Sequence, residues 1–309
     1  MILRLDPLVP PDWGPLAVSL GNFDGVHLGH ARLAEETVRE ARAGGGLAVV
    51  LAFDPHPARV LHPERAPATL VTTEQKAELL AGLGIDRLAV LPFTREVAAL
   101  DADAFAHDVL SKCLRAAAVV VGTNFRFGRG RSGDPAALAR LGATLGFRVR
   151  SIDPVLHDGQ PISSTRIRAA LAAGDVAEAE RMLGRRFFVD GTVVAGDGRG
   201  RTIGFPTANL EPVNETLPAP GVYACLLAAE GGPARPAVAN LGQRPTFGPG
   251  ARRLEVHVLD FSGDLYGARA RVGFVARLRD EKRFGGPEEL AAQIADDVAR
   301  ARQLLGDAI

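Results

Sequence analysis

The sequence predicts an α/β domain with a parallel sheet over residues 1–183, followed by a small antiparallel β-barrel over 184–309 that ends in a helix. Three observations predict it. Up to Leu183, continuous apolar runs alternate with helical stretches. Beyond it, short strand-like runs punctuated by Gly and Pro take over. A single amphipathic stretch then closes the chain. A length of 309 residues gives each of two domains enough chain to bury its own core.

The strand candidates of the first domain are 16–20, 47–53, 88–91, 116–121 and 147–151, each bounded by Gly, Pro or charge. Read as continuous apolar runs, they are expected to be strands buried on both faces. Helical stretches run near 31–43, 74–83, 104–114 and 135–145, and Thr72 with Gln75 forms a capping-box pattern before the second of them. Strand–helix alternation implies parallel strands joined by right-handed crossovers. In the second domain the strand candidates are 187–194, 221–228, 237–241, 254–261 and 270–278. The terminal helix starts near Pro287 and carries Leu290, Ile294, Val298, Ala301 and Leu305 on one face.

Thirty-six basic residues balance 36 acidic ones, which gives no general footprint for nucleic acid or an anionic membrane. Only Lys76, Lys112 and Lys282 are lysines, so nearly all positive charge is arginine. Cys113 and Cys225 are far apart and form neither a disulfide framework nor a CxxC metal motif. The first residues lack a signal-peptide pattern, and apolar runs are too short to span a bilayer. The expectation is a cytoplasmic protein that acts on small molecules, with its oligomeric state left open.

The sharpest feature is the turn after the first strand, Gly21-Asn22-Phe23-Asp24-Gly25-Val26-His27-Leu28-Gly29-His30. It is neither GxGxxG nor a Walker A loop. His27 and His30, three residues apart, share one face at the start of a helix, where free N–H groups already favour a phosphate. The pair could instead cap the helix, or form half of a zinc site with His56 and His62, although no familiar ligand spacing is completed. Two further loops follow strands of the same sheet and open on the same edge: Phe53-Asp54-Pro55-His56-Pro57, and Gly122 to Gly133 with Asn124, Phe125, Arg126 and Phe127. Ser163, Ser164, Thr165 and Arg168 open a later helix, either as caps or as phosphate ligands.

The barrel region carries Gly198 to Asn209, a Gly/Arg loop followed by Pro206-Thr207-Ala208-Asn209. Gly204 belongs to this loop, and Thr207 and Asn209 offer oxygens suited to Mg²⁺. Glu255 is a single carboxylate within an apolar strand, where an exposed strand residue is the simpler reading on its own.

With these strings on the page the chain resembles the prokaryotic bifunctional riboflavin kinase/FMN adenylyltransferase (FAD synthetase) family. HxGH at 27–30 and Ser-Ser-Thr-x-x-Arg at 163–168 resemble Rossmann-like nucleotidyltransferases, and Gly122-Thr123-Asn124-Phe125-Arg126-Phe127-Gly128 narrows the match. Pro206–Asn209, Gly221–Ala224, Asn240–Phe247, Glu255 and Leu265–Gly267 occur in the order seen in riboflavin kinases. The resemblance implies that riboflavin is phosphorylated with ATP to FMN in the second domain, and that FMN is adenylylated to FAD in the first. It assigns His27, His30 and Arg168 to catalysis of adenylyl transfer, and Gly21, Phe23, Gly29, Ser163, Ser164 and Thr165 to ATP. Phe53, Pro55, Asn124, Phe125, Arg126 and Phe127 fall in the flavin or nucleotide pocket. Glu255 becomes the kinase's general base, and Gly204, Thr207 and Asn209 bind Mg-ATP, with Thr207 and Asn209 on the metal.

Overall fold

The computed structural model describes residues 2–5, 12–196, 199–243 and 252–306. The chain divides into two compact units, Met1–Ser164 and Thr165–Ile309.

In the first unit six parallel strands form one sheet in the order β1-β4-β3-β2-β5-β6: β1 (Ile2–Arg4), β2 (Leu16–Leu20), β3 (Leu47–Asp54), β4 (Arg87–Pro92), β5 (Ala116–Gly122) and β6 (Arg148–Ile152). Only β1, three residues long, has no counterpart among the sequence candidates. From β2 the chain adds β3 and β4 on one side, then returns to place β5 on the other. The order therefore reverses at β2, and in such sheets ligands bind beyond the carboxyl ends at the reversal.

Both faces of the sheet are buried. Leu16, Val18, Leu20, Val49, Leu51, Val119 and Val121 pack on Phe105, Leu110, Leu138 and Phe147. On the opposite face Ala17, Ala48, Ala52 and Ala118 cluster with Ala34 and Ala41 of the helix Leu28–Ala43. Small side chains on both partners let that helix lie close to the sheet. The helix is fastened farther along by Glu36, fully buried, whose carboxylate pairs with Arg39 at 2.6 Å and with Arg150 of β6. The Thr72–Gln75 capping box forms as expected, with both reciprocal bonds present. The expected helix near 104–114 is a short α-turn, Ala102–Ala104, that widens to π geometry over Phe105–Cys113.

The second unit holds a closed antiparallel barrel in the order β10-β13-β12-β11-β14-β9: β9 (Phe188–Val194), β10 (Ala208–Pro212), β11 (Gly221–Ala229), β12 (Arg235–Gln243), β13 (Arg252–Val258) and β14 (Arg269–Arg279). A two-residue hairpin, β7 (Leu156–His157) and β8 (Gln160–Pro161), precedes it in the chain. The sequence pattern missed β10, because its short run Ala208–Pro212 mixes polar with apolar residues. Along β11 the faces alternate: Val222 and Ala224 pack beneath Ala301 and Leu305 of the terminal helix Pro287–Leu305, while buried Tyr223 meets Phe274 edge-on at 5.3 Å.

Helices Ser164–Ala172 and Val176–Leu183 group with the barrel. Leu171 accepts the Ala219 N–H at 2.8 Å, and Arg277 of β14 donates to the Ala173 carbonyl at 3.4 Å. Helical periodicity in the sequence ends at Leu183, whereas compact packing divides at Ser164/Thr165. The two differ because periodicity identifies a helix but not the core it joins.

Candidate active sites

The turn after β2 is held in an unusual backbone. Phe23, Gly25 and Val26 have φ of 48°, 83° and 42°, and left-handed conformations cost a β-branched residue most. Bonds from three separate segments hold it there. Asp24 Oδ1 accepts the Leu70 N–H at 2.8 Å, the Ser164 hydroxyl donates to the Asp24 carbonyl at 2.9 Å, and Gly21 N–H reaches Leu51 of β3 at 3.2 Å. Asn22 Nδ2 lies 3.0 Å from His56 Nε2, joining the turn to the loop after β3. Two loops that the sequence placed on one edge are therefore in contact.

His27 is buried and caps the helix Leu28–Ala43, its Nδ1 accepting from His30 N–H at 3.3 Å. The two imidazoles stack at 3.6 Å, and Phe23 stacks on His30 at 4.7 Å. Gly29 lets the His27 ring lie close, since a Cβ there would come within 3.1 Å of it and the ring would have to shift. His30 Nδ1 is buried with no partner among the described residues. Among those residues no group of three possible metal ligands includes His27 or His30, and His56 caps the helix Pro57–Leu61 instead. Capping and phosphate binding are compatible here; the zinc alternative gains no ligands.

Burial, with the fields of His27 and Lys76, holds the His30 imidazole well below its ordinary value of 6.5, so it is neutral at neutral pH. The unfolded chain takes up a proton below about pH 6.5 that the folded ring refuses. Stability of the nucleotide-free protein accordingly falls as pH drops through that value. Urea denaturation of wild type and His30→Gln across this range checks it: the variant shows the smaller acid loss, and equal losses would contradict it.

Aromatic rings line the loops after β3 and β5. Phe53 meets Phe93 at 5.2 Å and Phe105 at 6.4 Å; Phe105 meets Phe127 at 5.9 Å, and Phe127 stacks with Phe125 at 5.7 Å. Pro55 follows directly in the first loop, and in the second Arg126 donates to the Phe125 carbonyl at 2.7 Å. Exposed Asn124 folds back on Gly122, whose Cβ would lie 2.9 Å from its amide oxygen. Ser163 and Ser164 belong to the first unit, Thr165 and Arg168 to the second.

In the barrel, register places Glu255 of β13 between Asn209 of β10 and Asn240 of β12. Arg253 Nε lies 2.8 Å from Asn209 Oδ1 and 2.5 Å from Glu255 Oε1. These oxygens thus already gather around a cation. A cavity of about 360 Å³ is lined by Thr207, Asn240, Arg253 and Glu255, with Phe284, Leu290 and Ile294 as its apolar wall. A second, of about 570 Å³, is lined by Arg201, Thr207, Asp264 and Tyr266. Thr207 faces both. Gly204 turns the intervening loop at φ 87°. Gly198 and Arg244–Phe247 of the sequence motifs lie outside the described residues.

Asp297 and Arg279 escaped the sequence reading. Asp297 is buried and receives Arg279 at 2.8–3.0 Å, clasping the terminal helix to β14. The signal was available: Asp297 stands three residues after Ile294 and four before Ala301, a charge in the apolar stripe.

Two family models match the chain, FAD synthetase over residues 9–166 and riboflavin kinase over 183–305. The bifunctional riboflavin kinase/FMN adenylyltransferase of Escherichia coli K12 is 42% identical, across 94% of this chain and 92% of its own. That of Pseudomonas fluorescens is 40% identical across 98% and 97%. A crystal structure described as a macrolide-efflux protein of Streptococcus pneumoniae superposes with a TM-score of 0.88 at 31% identity, covering 97% of this chain and 98% of that one. No helix among the described residues is long and apolar enough to cross a membrane. By the match in both halves, in order and over nearly its whole length, the chain belongs to the bifunctional riboflavin kinase/FMN adenylyltransferase family.

Proposed function

We propose that the barrel phosphorylates riboflavin with ATP, and that the first unit adenylylates the resulting FMN with a second ATP, giving FAD and pyrophosphate. The observation that carries the reading is the pair of sites: a phosphate-receptive turn with an unpartnered buried histidine nitrogen in one unit, and a strand carboxylate at a ligand-sized cavity in the other. Family membership supports both activities. The absence of a membrane-spanning helix among the described residues fits cytoplasmic work on small-molecule substrates.

For the kinase step, the apolar wall of Phe284, Leu290 and Ile294 suits the flavin ring and leaves the ribityl chain toward Glu255. Arg253 engages Glu255 Oε1, and the second carboxylate oxygen accepts the proton of the ribityl 5′-hydroxyl as its oxygen attacks the γ-phosphorus. Thr207 and Asn209 carry hard oxygen donors of the kind Mg²⁺ takes and would hold it once Arg253, which engages Asn209 Oδ1 in this structure, releases that oxygen. The ion would supply charge neutralisation on the phosphates. The cavity bearing Arg201 and Tyr266 suits the nucleotide. For adenylyl transfer the FMN phosphate already carries nucleophilic oxygen, so His27 and His30 need only position and stabilise.

Incubation with ATP, Mg²⁺ and riboflavin, followed by separation of the flavins, tests the reading. FMN and then FAD are expected. FMN alone would confine activity to the barrel, and retained flavin without turnover would make the chain a binding protein. Domain independence is a separate expectation. A fragment starting at Thr165, which keeps the two helices packed on the barrel, should convert riboflavin to FMN without making FAD. One starting at Gly184, the boundary implied by the 1–183 and 184–309 division, should do the same with a lower melting temperature, because Met182 and Leu183 are buried in the intact chain. A fragment from Thr165 that folds but makes no FMN would refute the assignment of the kinase to this unit.

A further inference from the structure

Two carboxylates line the cavity of about 360 Å³ in the barrel, and the kinase mechanism uses only Glu255. The other, Glu281, follows β14 and rests on the bare backbone of β12, where a Cβ at Gly242 would lie 2.5 Å from Glu281 Oε1. In the ladder of β12 and β13, Gly242 stands opposite Arg253 just as Asn240 stands opposite Glu255. Opposite residues project to the same face of a sheet, so Glu281 lies beside the root of the Arg253 side chain. Among the described residues Glu281 makes no hydrogen bond or ion pair. Burial raises its carboxyl from the ordinary value, and Arg279, the cation opposing that effect, is bonded to Asp297.

Arg253 is divided between two partners. Its Nε carries one hydrogen, yet Asn209 Oδ1 lies 2.8 Å away and Glu255 Oε1 2.5 Å away. One N–H cannot point straight at both oxygens, so neither bond has its best geometry. Asn209 is not at liberty to turn aside. A Cβ at Gly196 would collide with Asn209 Nδ2, so the amide packs its nitrogen on that glycine and aims its oxygen at Arg253. That oxygen is also the one the kinase reading gives to Mg²⁺. A guanidinium and a divalent cation on the same oxygen repel each other, so the two positions exclude one another.

We propose that Arg253 is a positioning residue with two settings. At rest it bridges Asn209 and Glu255; when a divalent cation takes Asn209 Oδ1, it withdraws from that oxygen, keeps Glu255 and extends its guanidinium to Glu281. The proposal rests on the kinase reading. In the second setting Glu255 has the Nε–H to itself, which fixes one carboxylate oxygen and leaves the other toward the ribityl hydroxyl. Glu281 then gains the cation it lacks at rest. The planar guanidinium suits this exchange, because its fork of N–H groups can hold two carboxylates at once. No covalent bond changes and no proton moves. Arg253 thereby competes with the metal at rest and steadies the base once the metal is in place.

Metal binding to the full chain without nucleotide or flavin tests this, with Mn²⁺ as the probe followed by electron paramagnetic resonance. Arg253→Met should bind the ion about 10-fold more tightly than wild type, the lower end of the range for a competing hydrogen bond to a charged group. Adding Thr207→Ala should abolish that gain, which locates the ion. Arg253→Lys keeps a competing cation and should stay near wild type. Glu281→Gln should bind about two- to fivefold more weakly, the range for a partly exposed ion pair, because the displaced guanidinium then has no carboxylate to receive it. Loss of packing does not predict opposite changes from two neutralising substitutions in one cavity. In turnover, Arg253→Met should lower the Mg²⁺ concentration that half-saturates the kinase and also lower kcat, since Glu255 loses its holder. Where that variant fails to fold, wild-type crystals soaked in Mn²⁺ decide: with the ion on Asn209, Arg253 Nε should have left that oxygen and the guanidinium should reach Glu281. Arg253 still within hydrogen-bond distance of a metal-bound Asn209 overturns the proposal, as does a folded Arg253→Met protein with wild-type Mn²⁺ affinity. A wild-type chain that makes no FMN from riboflavin, ATP and Mg²⁺ removes the kinase reading itself. FMN formation with equal Mn²⁺ affinities leaves that reading standing and rejects only the exchange.

Discussion

His30→Ala lowers FAD formation by about two to three orders of magnitude, the range for removing one transition-state donor, and leaves conversion of riboflavin to FMN near wild type. The imidazole stands at the first turn of the helix Leu28–Ala43, held between His27 and Phe23, with a buried Nδ1 that lacks a partner among the described residues. Protein interiors seldom leave a polar atom in that state without a reason, and a ligand's phosphate is one. The stacked rings also contribute packing, about 0.5–1.5 kcal/mol for an aromatic pair, so a modest fall in melting temperature accompanies the loss. His30→Gln keeps a neutral donor and should recover part of the rate. Parallel loss of both activities in a folded His30→Ala protein would contradict the division of labour between the two units.

For Glu255→Gln the expected result is a fall in riboflavin phosphorylation of about 10²- to 10⁴-fold, while supplied FMN is still converted to FAD. The ribityl hydroxyl is a poor nucleophile until its proton starts to leave, and the glutamine cannot take that proton. Register puts this side chain between two asparagines, so Gln should keep its place in the row Asn209–Glu255–Asn240. The Arg253 contact weakens from an ion pair to a neutral hydrogen bond, which frees the guanidinium but does not restore a base. Riboflavin affinity should change little, because the apolar wall is untouched. A Gln variant with most of its kinase turnover would mean that positioning and Mg²⁺ manage the loose phosphoryl transfer on their own.

The sequence revealed what local chemistry determines. Continuous apolar runs identified β2 to β5 of the parallel sheet, since strands buried on both faces leave no polar alternation to blur them, whereas the edge strand β6 alternates Arg148, Val149 and Arg150 and is largely exposed. The turn at Gly21–His30 was legible from its glycines and from the spacing of its histidines. Less legible were features that arise from distant partners. The bond from the Leu70 N–H to Asp24 depends on how two distant segments meet. β10 was hidden because a short strand closing a barrel need not alternate cleanly. The helix opening at Ser164 was legible from its first residues and Val176–Leu183 was not singled out, and the allegiance of both to the barrel is a matter of long-range contacts. Asp297 went unread although its place in an apolar stripe was a local sign of a buried partner, and Arg279 is that partner.

The alanines beneath the helix Leu28–Ala43 bear on how this enzyme can vary. Ala17, Ala48, Ala52 and Ala118 set the distance at which the helix rests on the sheet, and that helix begins with the two histidines. Adding methyl groups to a packed core forces backbone shifts and costs about 1–3 kcal/mol. Here such a shift is transmitted along a rigid rod to the phosphate turn, where a displacement of about 1 Å can cost a hundredfold in rate. Ala48→Val, remote from any substrate, should therefore look in an assay like an active-site lesion. Screens that sort variants by their distance from the chemistry would misclassify this face of the sheet, whose tolerance is set by the aim of one helix rather than by the stability of the fold.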